Sequence, residues 1–83
     1  MSERNTQRPK KQQTPETPLQ MAERHVREGR VRVERQRQIV RDLERDAHPK
    51  AAEMARKTLE IFEDNLRLSI EHLELERAHE GKE

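Results

Sequence analysis

Histidine and glutamate side chains near the end of the chain have the spacing that comes closest to a chemical site. Glu76 and His79 show the Glu-x-x-His spacing of carboxylate-bridged metal sites in four-helix bundles, in which facing helices supply further glutamates. His72 lies one helical turn before Glu76, and Glu23 and His25 approach this group if the chain folds back on itself. The spacing also arises by chance in a glutamate-rich helix. The sequence therefore favours solvated side chains here and keeps a metal-binding bundle as an alternative.

A run of arginines raises a second possibility, which is nucleic-acid binding. Glutamate and aspartate interrupt this run, and its arginines are spread around a helix, so they form no continuous basic face. The chain has one aromatic residue, Phe62, and so lacks a platform on which bases would stack. We therefore expect no nucleic-acid partner, and keep as an alternative a protein that uses this run together with its basic N-terminal segment. The run comprises Arg24, Arg27, Arg30, Arg32, Arg35, Arg37, Arg41 and Arg45.

Enzymatic chemistry finds no support in the residues. The chain has no glycine-rich phosphate loop, no nucleophile with a recognisable partner and no cysteine. We therefore predict a protein that is not an enzyme, with no cofactor and no small-molecule substrate. No apolar run approaches the roughly 18 residues of a membrane span, and the first residues lack the apolar core of a secretory signal. We expect a cytoplasmic protein without a membrane partner.

The composition leaves little material for a hydrophobic core. Only 29% of the 83 residues are hydrophobic, whereas 42% are charged. A chain of this size buries a modest fraction of its surface even with an ordinary composition. Such a chain is either marginally stable alone or gains core by associating with another chain.

The N-terminal segment and the first helix differ sharply in pattern. Residues 1–17 contain two prolines and no apolar residue after Met1, which predicts a disordered tail. Thr17 and Pro18 are typical of a helix start, with Gln20 in the position that completes a capping box. From there apolar residues recur at alternating spacings of three and four, which predicts a helix over about 18–46. The helix 1 side of this seam includes Val26, Gly29, Val33, Val40 and Leu43.

Residues 46–49 interrupt the pattern and predict a turn. Pro49 best fits the first position of a second helix over about 49–79, and Gly81 is a plausible stop before a frayed end at 81–83. The two helices then form an antiparallel, coiled-coil-like hairpin over 18–80. In the register that the turn fixes, Gly29 faces Leu66, Gln36 faces Leu59 and large residues face small ones in most layers. The helix 2 side of the seam includes Leu59, Phe62, Leu66 and Leu73.

Helix 2 carries a second stripe of apolar residues that the hairpin leaves uncovered. Its members are seven residues apart and lie on a different face from the seam. A helix that is apolar over so wide an arc needs further neighbours. We therefore expect association with a second copy in a dimeric helical bundle, or with another helical protein. The second stripe comprises Met54, Ile61, Leu68 and Leu75.

A single long helix is the alternative to the hairpin. The second stripe continues the spacing of Val26, Val33 and Val40 through the turn, so one helix would carry an unbroken apolar line. However, Pro49 would remove a hydrogen bond inside such a helix and clash with the preceding turn. The hairpin is therefore the preferred architecture of this all-α chain.

One short pattern carries a family resemblance. The run from Ala22 to Gly29, AERHVREG, followed by LERDAH at residues 43–48, resembles small uncharacterised helical-hairpin proteins of alphaproteobacteria. Their pattern has a Gly-His turn, and Ala47 stands here in place of that glycine. The resemblance covers about residues 19–66 and implies a bacterial cytoplasmic protein, with no activity attached.

Overall fold

Two antiparallel helices form the part of the chain that the structure describes. The computed structural model describes residues 15–81, which contain α1 at Pro18–Arg45 and α2 at Pro49–Gly81. The two helices contact each other along their length, so the predicted all-α helical hairpin is confirmed. Of the predicted tail over 1–17, residues 1–14 lie outside the described residues, as do residues 82–83 of the predicted frayed end.

α1 begins at a capping box, as its sequence predicts. The Gln20 backbone N–H donates to the Thr17 hydroxyl, and the Thr17 backbone N–H donates to the Gln20 side chain, both at 3.0 Å. These two bonds satisfy donors that a bare helix start leaves without partners. Glu16 was predicted to lie in the tail, but its carboxylate accepts two 2.9 Å hydrogen bonds from Arg24. This pairing holds the pKa of Glu16 below its ordinary value and raises the pKa of Arg24.

α1 ends in a Schellman turn built around Ala47. The backbone N–H of His48 donates to the carbonyl of Leu43 at 2.9 Å, and that of Ala47 donates to Glu44 at 3.2 Å. This pair of bonds requires a left-handed residue just after the helix. Ala47 supplies it with a φ of 61°, the one positive φ at a non-glycine residue in the described part of the chain. The turn thus has the geometry that glycine favours, although alanine occupies the position.

α2 begins immediately after this turn. The carbonyl of His48 accepts the first helical hydrogen bond, from Ala52 at 2.8 Å, and Pro49 occupies the first helical position. Proline fits there because its missing N–H has no helical acceptor in any case. His48 thus joins the two helices through its backbone, while its side chain remains exposed. The single long helix is excluded.

The predicted seam is where the two helices pack. Val26, Val33, Val40 and Leu73 are buried, together with three alanines of the seam: Ala22, Ala52 and Ala55. A Cβ added to Gly29 would lie 3.1 Å from Cδ1 of Leu66, so these two residues face each other as predicted. The remaining large seam residues are only half-buried, because two helices cannot enclose them. These residues are Leu43, Leu59, Phe62 and Leu66.

The far end of α2 differs slightly from its prediction. The helix extends two residues beyond the predicted end, and Gly81, the predicted stop, is its last residue in the described part of the chain.

Ala47→Gly is expected to stabilise the protein by about 1 kcal/mol, because glycine adopts a left-handed conformation without the Cβ strain of alanine. The free energy of unfolding from urea titration measures this gain. Ala78→Gly, at an exposed position inside α2, is the matched control and should destabilise by about 0.5 kcal/mol. Equal destabilisation by both changes would contradict the left-handed turn.

Gly29→Ala is expected to gain less stability than its helix propensity of about 1 kcal/mol predicts, because the new Cβ crowds Leu66 Cδ1. In a Leu66→Val background, which lacks Cδ1, the same change should gain closer to the full amount. The measurement is a double-mutant cycle of unfolding free energies at fixed protein concentration. An identical gain in both backgrounds would show that the two residues are not in contact.

Candidate interaction surface

One side of the hairpin is closed by ion pairs between the helices. Arg37 of α1 contacts Glu63 of α2 at 3.4 Å, and one heptad nearer the turn Glu44 of α1 contacts Arg56 of α2. Both positions advance by seven residues, so the two pairs lie on the same side. Their polarity reverses between the pairs, and all four side chains remain about half exposed. Because these ion pairs are exposed to water, they add little to stability, and their main effect is to favour the register in which they form.

Two neighbouring rows on the opposite side of α2 contain no Asp, Glu, Lys or Arg. Beside the second stripe runs a row of small or neutral residues, again seven apart, which we name the neutral row: Ala51, Thr58, Asn65, His72 and His79. The second stripe and the neutral row together occupy nine positions that contain no Asp, Glu, Lys or Arg, in a chain that is 42% charged. Their alternating spacings of three and four are those of a helix-packing seam. We name these two rows together the apolar face.

The second stripe is exposed on this face. Met54, Ile61, Leu68 and Leu75 have between 53% and 70% of their surface accessible to solvent. Single exposed aliphatic residues are ordinary, but four in one row beside an uncharged row form a continuous patch. The second stripe was predicted from the sequence. The neutral row was not predicted, although the sequence already shows that its positions contain no Asp, Glu, Lys or Arg.

α1 contributes a partly charged groove next to the apolar face. Val31 and Ile39 are about half exposed, at 50% and 46%, and with Phe62 they line an open groove of about 440 Å³ that also contains charged side chains. The Arg32 guanidinium lies 5.9 Å from the centre of the Phe62 ring, in a cation–π contact at the edge of this groove. Arg32 also lines a neighbouring depression with Asn65, so the groove adjoins the neutral row.

The candidate metal ligands are divided between the two sides of the hairpin. His72 and Glu76 share a hydrogen bond of 3.1 Å. His25 lines the depression that contains Asn65, whereas Glu23 lines a groove with Ile70 on the ion-pair side. Across the described residues, no three His, Asp or Glu side chains are grouped closely enough to hold a metal ion. The expected approach of Glu23 and His25 to the Glu76 and His79 pair thus does not produce a ligand set within one chain.

The arginines of α1 are engaged with carboxylates at several points. Arg24 pairs with Glu16 and Glu28, and Arg37 pairs with Glu34 as well as with Glu63. Arg41 and Arg45 likewise contact acidic residues of α1 or of the turn. A guanidinium that already has a carboxylate partner offers less attraction to a phosphate. This arrangement lends nucleic-acid binding no further support.

Neither helix of residues 15–81 combines the length and the apolar character that a membrane crossing requires.

Gln36 is a buried polar residue within the seam. Its side-chain amide donates to the backbone carbonyl of Ala55 at 3.0 Å, and only 9% of its surface is exposed. A buried donor with a partner costs little, whereas one without a partner costs about 1–3 kcal/mol. The sequence predicted Gln36 opposite Leu59, but its long side chain reaches one helical turn nearer the loop, where it finds an acceptor. Its role is to fix the register of the helices.

Gln36→Glu is expected to destabilise the protein by about 2 kcal/mol near neutral pH, because a carboxylate cannot donate to the Ala55 carbonyl and loses hydration. Burial would raise the folded-state pKa of this carboxyl above its unfolded value of about 4.3. Both states bind the proton below that value, so the penalty is absent there and grows as pH rises above it. Urea unfolding at about pH 4 and pH 7 measures this against Gln36→Met at the same pH; a pH-independent difference would contradict it.

Comparison of the chain with protein-family models, with curated proteins and with solved structures gave no match. The resemblance to helical-hairpin proteins of alphaproteobacteria therefore stays a prediction that rests on the sequence pattern alone.

Proposed function

We propose that this protein is a non-enzymatic interaction protein that acts by packing its apolar face against another helix. The observation that carries the proposal is the apolar face itself, in which an exposed aliphatic row runs beside an uncharged row at helix-packing spacing. The face is extended and nearly straight, so its shape suits a helix more than a small molecule.

The occupant that this proposal assigns is a second copy, which gives a dimeric four-helix bundle. Each hairpin already presents two helices, so two faces pressed together complete the usual four. The half-buried Phe62, which lines the groove next to this face, would bury more of its surface in such a bundle. Burial of each large aliphatic side chain contributes about 1.5–3 kcal/mol, and a two-fold interface counts every residue twice. Association would thus supply the core that the single chain lacks.

A helical bundle of this kind serves as a small regulator or adaptor, because it offers surfaces and no reacting groups. We propose the cytoplasm as its location, because no apolar run approaches the length of a membrane span and a chain without cysteine suits a reducing compartment. A bacterial source follows only from the family resemblance.

Leu68→Glu is expected to abolish self-association while leaving the hairpin helical, because Leu68 is 53% exposed in the single chain and lies outside the seam. Sedimentation equilibrium at tens of micromolar, with helicity followed by circular dichroism, measures both properties. The dissociation constant should rise by about 100-fold or more, since two leucines are lost and two charges would be buried.

Leu68→Met is the matched control, because methionine conserves the volume and the apolar character of leucine, and it should leave the dimer intact. A wild-type chain that sediments as a monomer with full helicity would contradict the proposed function. So would association that Leu68→Glu leaves unchanged.

A further inference from the structure

A row of charges borders the apolar face, and its order is informative. This charge row lies on the outer edge of the second stripe, with members seven residues apart: Lys50, Lys57, Asp64 and Glu71. All four side chains are exposed. The row is basic near the turn and acidic towards the other end of α2. Two copies of this row that run in opposite directions therefore place basic residues beside acidic ones. This is the property of a surface that binds a copy of itself about a two-fold axis.

We propose that the apolar face binds the α2 helix of a second copy running antiparallel, about a two-fold axis that passes between the two α2 helices at the level of residue 63. This inference rests on the proposed function and adds to it the orientation and the register of the two chains. Its evidence is the layering of the apolar face and the order of the charge row.

The layering follows the rule already seen inside the hairpin. In an antiparallel helix pair, each layer joins a residue of one row to a residue of the other row, as Gly29 and Leu66 do in the seam. The same rule on the apolar face pairs each aliphatic residue of the second stripe with a smaller or polar residue of the neutral row. The four layers, each formed twice, pair Ile61 with the partner's Asn65, Thr58 with the partner's Leu68, Met54 with the partner's His72 and Ala51 with the partner's Leu75.

The central position of Asn65 favours one arrangement over others. A polar residue in an otherwise apolar helix interface lowers stability but restricts the registers that satisfy its hydrogen bonds. In the proposed register the two copies of Asn65 lie on either side of the two-fold axis, each close to the partner's Ile61. A slip of one heptad towards the turn would leave Leu75 without a neutral-row residue opposite it. A slip the other way would keep all four layers but would place Asp64 beside the partner's Glu71, so the charge row opposes it.

The charge row distinguishes antiparallel from parallel pairing. In the antiparallel arrangement Lys57 lies between the partner's Asp64 and the partner's Glu71, and the two-fold axis repeats the contact. In a parallel pair these attractions are lost, and Glu71 instead approaches the partner's Glu76. Arg67 already contacts Asp64 and Glu71 within α2, at 3.8 and 3.1 Å, so the partner's lysine joins an existing cluster. Exposed pairs of this kind select orientation more than they add affinity.

The absence of cysteine in the natural chain permits a direct test of orientation. A single cysteine that replaces His48 in the turn carries a spin label, and the distance between the two labels of a dimer is measured by pulsed electron resonance. In the antiparallel dimer the turns lie at opposite ends, about 45 Å apart, because each is about 15 residues from the axis at 1.5 Å per residue. In a parallel dimer the two turns are neighbours, within about 25 Å. Both labelled chains are first shown to be fully helical.

A second label, at Glu60→Cys, separates failure of the inference from failure of the proposed function. Glu60 is exposed and close to the proposed axis, so its two labels are near each other in either kind of dimer. A long distance from the turn with a short one from Glu60 supports the antiparallel dimer. Short distances from both positions overturn it but leave self-association standing. No dimer distance from either position overturns both.

Charge reversal tests the register independently of any label. Lys57→Glu should weaken the dimer about 10-fold, because two attractive contacts become repulsive. The double change Lys57→Glu and Glu71→Lys should recover most of the loss, since it restores opposite charges between chains. Glu60→Lys makes the same size of charge change away from the charge row and should leave the dissociation constant unaltered. If Lys57→Glu has no larger effect than Glu60→Lys, the assigned register is wrong.

Discussion

The left-handed residue between the helices makes a short turn, which fixes which residues of the two helices face each other and which stay exposed. Two backbone hydrogen bonds end α1 around Ala47, and Pro49 allows α2 to begin two residues later. A connection this short permits essentially one antiparallel register, because helix rotation and translation are both fixed where the chain reverses. Gly29 then meets Leu66 almost thirty ångströms along the helix from the turn, at about 1.5 Å per residue. A longer or looser turn would allow a slip that places the charged rows in the seam.

That register gives the hairpin two unlike sides. On one, Arg37 and Glu63 join the helices, and hydrated charges surround them. On the other, the neutral row separates the seam from the second stripe, so no Asp, Glu, Lys or Arg lies between the half-buried Phe62 and the exposed Ile61. A helix exposed on all sides has no reason to keep charge away from one face. The asymmetry agrees with the proposed packing of a second helix on that side.

Much of the hairpin was predictable because it depends on local rules. The alternating spacing identified the seam, Thr17 identified the start of α1, and Pro49 identified the start of α2. What the sequence did not reveal depends on side-chain reach and on which side of the hairpin each row falls. Gln36 finds its acceptor one turn away from the position expected, and Glu16 pairs across eight residues with Arg24. Such contacts follow from three-dimensional direction, which spacing along the chain does not encode.

The candidate metal ligands are kept apart for the same reason. Glu23 and His25 are two residues apart, which on a helix directs them to opposite sides of the hairpin.

The seam buries mostly valine and alanine, while the larger Leu59, Phe62 and Leu66 stay partly in water. Their hydrophobic free energy is therefore only partly gained on forming the hairpin, and the remainder is available to whatever covers the apolar face. Binding of a partner to the folded state alone would raise the apparent stability with concentration. In the proposed dimer, folding and association are thus linked through half-buried side chains.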